Sequence, residues 1–137
     1  MSIPPHDFWQ TLDDTGPFPA DGFQDRYPAA LPDGRRLWLP IRVLPGGDDR
    51  AVASLILTQA SFAVQDALAD VLADRLGDLR AEVIVGVPTL GLALAAAVAK
   101  RLGHRRFVPL GTSRKFWYED ALSVPVSSIT SPGAGKR

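Results

Sequence analysis

The sequence predicts an α/β fold whose core is a parallel β-sheet. Three patterns lead to this expectation: an amphipathic helix over residues 59–79, a strand–turn–helix unit over residues 81–103, and a short apolar strand over residues 106–110. The order helix, strand, helix, strand implies right-handed crossovers between parallel strands, and such strands are covered by helices on both faces.

Length and composition narrow the class of protein. The chain has 137 residues, the size of one domain, and its 46% apolar and 22% charged residues are typical of a globular protein. Fifteen basic residues balance fifteen acidic ones, so charge gives no argument for nucleic acid or an anionic membrane as the main partner. The absence of Cys excludes a disulfide framework, a thiolate metal site and a Cys nucleophile.

Targeting signals are also missing from the sequence. No apolar run approaches the roughly 20 residues that a membrane span needs, and the N-terminus lacks the basic start and apolar core of a signal peptide. We therefore expect a cytoplasmic protein without a membrane partner. The preference for Arg over Lys and the many Ala residues are associated with GC-rich bacterial genomes.

The first 50 residues predict a short helix over residues 6–12 and then a β-hairpin. Residues 35–43 alternate between apolar and other side chains with a period of two, which is typical of a half-buried strand. The turn Pro32-Asp33-Gly34 joins this strand to a partner over residues 26–31, and Pro40 predicts an edge strand. We predict a loop over residues 45–49. The apolar run over residues 51–57 is compatible with either a helix or a strand.

Residues 59–79 have apolar side chains at helical spacing. The predicted buried face consists of Val64, Leu68, Val71, Leu72, Leu76 and Leu79. The opposite face, with Asp66, Asp70, Asp74 and Arg75, is predicted to contact water. Gly77 indicates where this helix ends.

The strand–turn–helix unit contains the best candidate for a binding site. Residues 82–87 predict a strand buried on both faces, and a helix follows over residues 91–102 and ends at Gly103. The turn between them, Val87-Pro88-Thr89-Leu90-Gly91, lies at the carboxyl end of a parallel strand and at a helix N-terminus, where an anion can bind. Alternatively, it is only the Gly turn that any α/β protein needs, since neither the dinucleotide nor the P-loop motif is present.

Residues 111–137 form a long polar segment that is either functional or disordered. Its first part places Arg114 and Lys115, two cations suited to phosphate, before the aromatics Phe116-Trp117-Tyr118. Such a loop could close over a reaction; the alternative is a hairpin whose aromatics pack on the core. The hydroxyls of Ser127 and Ser128 are available to a phosphate. His6 and His104 have no partner at metal-ligand spacing, and we assign them no function.

Taken together, the strand–turn–helix, the strand over residues 106–110 and the Arg-Lys loop resemble the type I phosphoribosyltransferases, in particular the adenine phosphoribosyltransferase-like branch. The resemblance covers residues 51–137. It implies a pyrophosphate-binding turn formed by Pro88, Thr89, Leu90 and Gly91. It also implies a catalytic loop with Arg114 and Lys115. Tyr118, Ser127 and Ser128 are the candidates for a clamp in the same loop. The N-terminal hood would recognise the base, and Phe23 and Tyr27 are the candidate residues for that role.

The resemblance further implies an activity in nucleotide salvage. The family transfers ribose 5-phosphate from phosphoribosyl pyrophosphate to a base, here of purine type, and releases pyrophosphate. Mg²⁺ would be bound through the oxygens of phosphoribosyl pyrophosphate, and no side chain of this chain is a predicted metal ligand. The expected partners are these small molecules, with no nucleic acid, and family members often form homodimers.

One family motif has no counterpart in the sequence. It is a hydrophobic strand that ends in two adjacent acids and holds the ribose and 5′-phosphate of the donor. We therefore expect a single, C-terminally incomplete domain, either truncated or a natural fragment, that is inactive alone. Residues 1–50 are its hood, 51–110 its αβαβ core and 111–137 its catalytic-type loop. The alternatives are a non-catalytic phosphoribosyltransferase-like ligand-binding or regulatory module and an unrelated doubly wound nucleotide-binding domain.

Overall fold

A computed structural model describes residues 4–14, 18, 20–44, 50–113 and 115–126 of the chain. Over these residues it has a three-stranded antiparallel sheet, a two-stranded parallel sheet and two α-helices. The strands are β1 (Arg26–Ala30), β2 (Arg36–Val43), β3 (Ala51–Ala53), β4 (Val85–Gly86) and β5 (Val108–Pro109), and the helices are α1 (Phe62–Leu76) and α2 (Gly91–Arg101). The mixture of helices and strands is as predicted, but the predicted parallel-sheet core is not confirmed, because the parallel sheet is a single pair of two-residue strands.

Strand β2 is the centre of the antiparallel sheet, with β1 on one side and β3 on the other. In the turn between β1 and β2, the Asp33 carboxylate accepts hydrogen bonds from the backbone N–H of Arg35 at 3.0 Å and from its guanidinium at 2.7 Å. The side-chain hydrogen bond from Arg35 holds the pKa of the Asp33 carboxyl below its ordinary value. The prediction that Pro40 marks an edge strand is wrong, because β2 has a neighbour on both sides.

A buried tryptophan explains why the sheet tolerates this proline in its central strand. Ser54 donates its backbone N–H to the Pro40 carbonyl at 3.1 Å, but proline has no N–H to return to the Ser54 carbonyl. The indole Nε1–H of Trp9 donates to that carbonyl instead, at 3.0 Å. Trp9 is 2% exposed, so one side chain fills the core and completes the hydrogen bonds of the sheet.

The N-terminal segment over residues 4–14 is therefore part of the core, although these residues form no α-helix. The predicted helix over residues 6–12 is wrong: a 3₁₀ turn covers Pro5–Asp7, and Trp9 has a left-handed φ of 65°, which a helix does not allow. The Trp9 carbonyl accepts from the N–H of Ser61 at 3.1 Å. The main apolar cluster consists of Trp9, Leu31, Leu37, Leu57, Ala60, Val64 and Ala67.

Helix α1 has a side-chain cap at its N-terminus and passes into a 3₁₀ turn after its last residue. The Ser61 hydroxyl accepts from the backbone N–H of Val64 at 3.2 Å and so caps the N-terminus. The helix ends at Gly77, as predicted. Leu79 was predicted on the buried face but is 69% exposed, because it lies in a 3₁₀ turn after the helix has ended.

Helix α2 agrees with its predicted range to within one residue. Gly103 has a φ of 80°, its N–H donates to the Lys100 carbonyl at 3.1 Å, and the N–H of His104 donates to the Ala99 carbonyl at 2.9 Å. This is the Schellman arrangement that ends a helix at a left-handed glycine.

The parallel pair is covered on one face only. Strands β4 and β5 pair with Val85 opposite Val108 and Gly86 opposite Pro109, and α2 packs on the face of Gly86. The three alternate residues of the apolar run are exposed: Val83 to 48%, Val85 to 46% and Val87 to 60%. The prediction of a strand buried on both faces is wrong here, since no element within the described ranges covers these valines.

A candidate anion site at the carboxyl ends of the parallel strands

The two segments predicted to bind phosphate leave the parallel sheet at the same edge. The N–H of Leu110 donates to the carbonyl of Gly86 at 2.9 Å, so β4 and β5 end side by side. The turn over residues 87–91 follows β4 and the segment over residues 111–113 follows β5. The carboxyl ends of parallel strands are where open α/β sheets bind ligands.

The turn leaves two backbone donors without an acceptor in the described part of the chain. Gly91 donates its N–H to the Val87 carbonyl at 3.1 Å, and Leu92 donates to the Thr89 carbonyl at 3.4 Å. The Pro88–Thr89 peptide bond is cis, and Pro88 has no N–H. Of the four predicted residues, Thr89 and Leu90 therefore have N–H groups that an anion could use, whereas the N–H of Gly91 is already bonded.

The N-terminus of α2 reinforces these donors. Leu90 occupies the cap position, and no side chain makes a capping hydrogen bond there. The first N–H groups of a helix have no intrahelical acceptor and give the N-terminus a partial positive charge. Thr89 and Leu90 are exposed, so an incoming anion would reach this end of the helix from solvent.

The described residues of the segment after β5 add hydroxyl groups and the Lys115 ammonium. Thr112, Ser113 and Lys115 are exposed, and the Lys115 ammonium has no ion pair with any described residue. The Tyr118 hydroxyl lies beside Gly111, at 3.8 Å from the position that a Cβ on Gly111 would take. Arg114, Ser127 and Ser128 lie outside the described residues.

The three aromatics of this segment form a continuous row of edge-to-face contacts. Ring centroids are 4.7 Å apart for Phe116 and Trp117, and 6.1 Å apart for Trp117 and Tyr118. Phe116 is 95% exposed and Trp117 64%, so the alternative in which these aromatics pack on the core is wrong.

The predicted hood residues contact each other but not the turn. Phe23 and Tyr27 are in edge-to-face contact at 5.3 Å, and Phe18 extends the row at 5.6 Å from Phe23. The Arg36 guanidinium lies over the Phe18 ring at 4.5 Å. No hydrogen bond or ring contact in the described ranges joins this group to residues 87–91.

A second polar cluster, which sequence reasoning missed, joins the two helices. Arg101 of α2 donates to the carboxylates of Asp66, at 2.9 Å, and Asp70 on α1, and the bond to Asp70 is the main reason why the pKa of Arg101 is raised. An open cavity of about 390 Å³ beside it is lined by Asp70, Ala73, Asp74, Gly77, Arg101 and Leu102. The i,i+4 spacing of the two aspartates was the available signal.

This cluster does not form a metal site. The Arg101 guanidinium donates to both carboxylates, and no group of three or more potential metal ligands occurs among the described residues. It lies at the C-terminal end of α2, away from the turn, and its ion pairs hold α1 and α2 together.

Comparisons with known proteins do not assign this chain to a family. No family model, no curated protein and no solved structure matches it. None of the helices in the described ranges has the length and apolar character required to cross a membrane.

Proposed function

We propose that the chain carries the pyrophosphate-binding half of a phosphoribosyltransferase site. The complete protein would transfer ribose 5-phosphate from phosphoribosyl pyrophosphate to a purine-type base, in the cytoplasm and as a homodimer, and this chain alone would be inactive. The observation that supports the proposal is the hydrogen bond from Leu110 to Gly86, because it brings the uncapped end of α2 and the segment with Lys115 to one edge.

The chemistry of the proposed site is stabilisation of a departing anion. As the bond between C1 of the ribose and the pyrophosphate oxygen breaks, negative charge develops on the leaving group. The N–H groups of Thr89 and Leu90 would donate to phosphate oxygens, and the Lys115 ammonium would add a positive charge. Donors already in position act most strongly where water is excluded, and the exposed rings of Phe116 and Trp117 are available to exclude it.

Residues 87–91, 111–113 and 115–118, which the structure describes at this edge, include no carboxylate side chain for a magnesium ion. Its preferred ligands are carboxylate, carbonyl and water oxygens, whereas the edge offers N–H groups, hydroxyls and an ammonium. A Mg²⁺ ion would therefore have to arrive on the phosphate oxygens of the donor, as the resemblance implies, and we assign it no residue of this chain.

The first test compares two exposed lysines, one in the segment after β5 and one in α2. Lys115 lies at the proposed site, and Lys100 lies in the last turn of the helix. We expect Lys115→Ala to weaken pyrophosphate binding, measured by calorimetry at low salt, by about three- to tenfold, because a hydrogen bond to a charged group contributes roughly 1.5–3 kcal/mol and exposure reduces that value. Lys100→Ala should bind like the parent chain. Equal affinities of both variants, or no binding by the parent chain, would contradict the proposal.

The second candidate is a non-catalytic module that binds the same anion. One observation favours it for this chain: the acidic motif of the family has no counterpart in the sequence. The test incubates the chain with radiolabelled phosphoribosyl pyrophosphate and a panel of bases. Binding without turnover agrees with a module or a half site, whereas release of pyrophosphate with any base rules out the non-catalytic reading.

A further inference from the structure

Helix α2 approaches strand β4 so closely at Gly86 that a side chain does not fit there. A Cβ on Gly86 would lie 3.1 Å from the Cβ of Ala95, 3.1 Å from Cε2 of Phe107 and 3.2 Å from Cδ2 of Leu92. Carbon atoms in favourable contact are about 3.5–4.0 Å apart. Gly86 is also buried, so these neighbours have no open space to move into on its side.

The three neighbours differ in how easily they can move. The end of the Leu92 side chain can change rotamer, and the Phe107 ring can tilt. The Cβ of Ala95 is attached directly to the backbone of α2, so it moves only if the helix moves. A methyl group on Gly86 would therefore push α2 away from β4 by a few tenths of an ångström.

This contact lies at the end of α2 that carries the candidate site. Leu92 is in the first turn of the helix, and the N–H of Gly91 is bonded to the carbonyl of Val87, the residue after Gly86. The carbonyl of Gly86 accepts from Leu110, where the segment with Lys115 begins. Because Gly86 has no side chain, α2 packs directly against its backbone. Its carbonyl accepts a hydrogen bond from Leu110, the residue after β5.

We infer that Gly86 is a positioning residue for the anion site: by having no side chain, it sets the distance between α2 and the sheet and so the position of the Thr89 and Leu90 N–H groups relative to the segment after β5. The identification of the anion as pyrophosphate rests on the proposed function. The close contact between α2 and β4 does not.

The test compares two glycine-to-alanine changes with opposite surroundings. Gly77 has a helical φ of −53° and no atom within 4 Å of an added Cβ, which makes Gly77→Ala the matched control. We expect Gly86→Ala to weaken pyrophosphate binding by about three- to tenfold, since a displaced donor makes longer and poorer hydrogen bonds, and Gly77→Ala to leave it unchanged. Both are measured at a temperature where circular dichroism shows them folded.

A compensating change separates displacement from general damage. Ala95→Gly removes the methyl group that cannot move aside, so Gly86→Ala combined with Ala95→Gly should recover most of the lost affinity, with Ala95→Gly alone as its reference. Unchanged binding in Gly86→Ala, or a loss that the second change does not reduce, would overturn the inference. If Gly86→Ala alone does not fold, the combined variant is compared with Ala95→Gly, and equal affinities support the same conclusion.

A readout without ligand distinguishes failure of this inference from failure of the proposed function. Amide NMR signals of Thr89 and Leu90 should shift in Gly86→Ala and not in Gly77→Ala, whether or not pyrophosphate binds. If the parent chain does not bind pyrophosphate, the proposed function fails while these shifts still decide the positioning role. Unshifted signals would remove that role.

Discussion

At the scale of single residues, Trp9 joins segments of the chain that are far apart in the sequence. Its indole N–H occupies the position that Pro40 leaves empty, at the Ser54 carbonyl, and its rings lie in the apolar cluster. The Arg42 guanidinium lies over the same ring system at 5.8 Å and donates to the Ser54 hydroxyl. One residue therefore connects the N-terminal segment, β2 and the chain after β3.

Trp9→Phe tests this connection. The change keeps an aromatic ring but removes the N–H, which leaves the Ser54 carbonyl without its donor, and it leaves space in the core. We expect the free energy of unfolding in urea to fall by about 1–3 kcal/mol.

Trp117→Phe is the matched control, because Trp117 is 64% exposed. Its free energy of unfolding should stay within about 0.5 kcal/mol of the parent chain. Equal stabilities of the two variants would show that the hydrogen bond to Ser54 is dispensable.

At the scale of elements, the sequence predicted the ranges of α2, β1 and β2 to within one residue, but not the extent of the parallel pair. Local chemistry ends α2 at Gly103, which has a left-handed φ, whereas Gly77 keeps a helical φ and α1 passes there into a 3₁₀ turn. A strand depends on partners far along the chain. The apolar run over residues 82–87 therefore predicts a strand without showing that only Val85 and Gly86 would pair.

The same distinction explains the error at Pro40. The rule that proline lies at sheet edges is local, whereas the donor that compensates for its missing N–H is the Trp9 side chain, 45 residues before the Ser54 carbonyl that accepts from it. No periodicity in the sequence signals such a bond.

The capping serine of α1 gives a prediction at this scale. The Ser61 hydroxyl accepts from Val64 and donates to the Gln10 carbonyl at 2.8 Å, so it both begins the helix and holds the N-terminal segment. Ser61→Ala should lower the free energy of unfolding by about 1–2 kcal/mol. Ser61→Thr, which keeps the hydroxyl, should recover most of that loss, and a threonine variant no better than alanine would contradict the capping role.

At the scale of the whole molecule, the two sheets are unequally covered. The antiparallel sheet has the buried core of Trp9, Leu37 and Val64 beneath it, whereas the parallel pair has α2 on one face and exposed valines on the other. Parallel sheets in α/β proteins have helices on both faces. The sequence led us to expect such a sheet because an apolar run does not reveal whether a covering element is present.

The candidate site, too, could be predicted from the sequence only in part. The turn over residues 87–91 and Lys115 could be found from sequence, because a Gly turn after an apolar strand and a pair of cations are local signals. That the N–H of Gly91 is occupied by Val87 could not be found in this way. No hydrogen bond or ring contact joins the predicted hood residues Phe23 and Tyr27 to the turn among the described residues, and their part in base recognition stays a prediction.

The exposed valines give a prediction for the molecule as a whole. A contiguous apolar surface binds dyes such as anilinonaphthalene sulfonate, so replacing Val85 and Val87 by Ser should reduce the fluorescence of the bound dye by about half or more. Stability should change little, because both side chains are already exposed.

Val43→Ser is the control for that experiment. Val43 is 76% exposed at the end of β2 and is not part of the parallel pair. It should leave the dye signal near that of the parent chain. An equal decrease in both variants would mean that the dye does not report on the open face of β4.

The three tryptophans also provide an optical assay that needs no label. Trp9 is buried, Trp38 is half-buried with its indole N–H bonded to Asp13 at 2.9 Å, and Trp117 is exposed beside the candidate site. In the folded protein, a soluble quencher such as acrylamide should reach Trp117 first. Protection of this emission by pyrophosphate would then report events at the site, while the red shift of Trp9 and Trp38 would report unfolding.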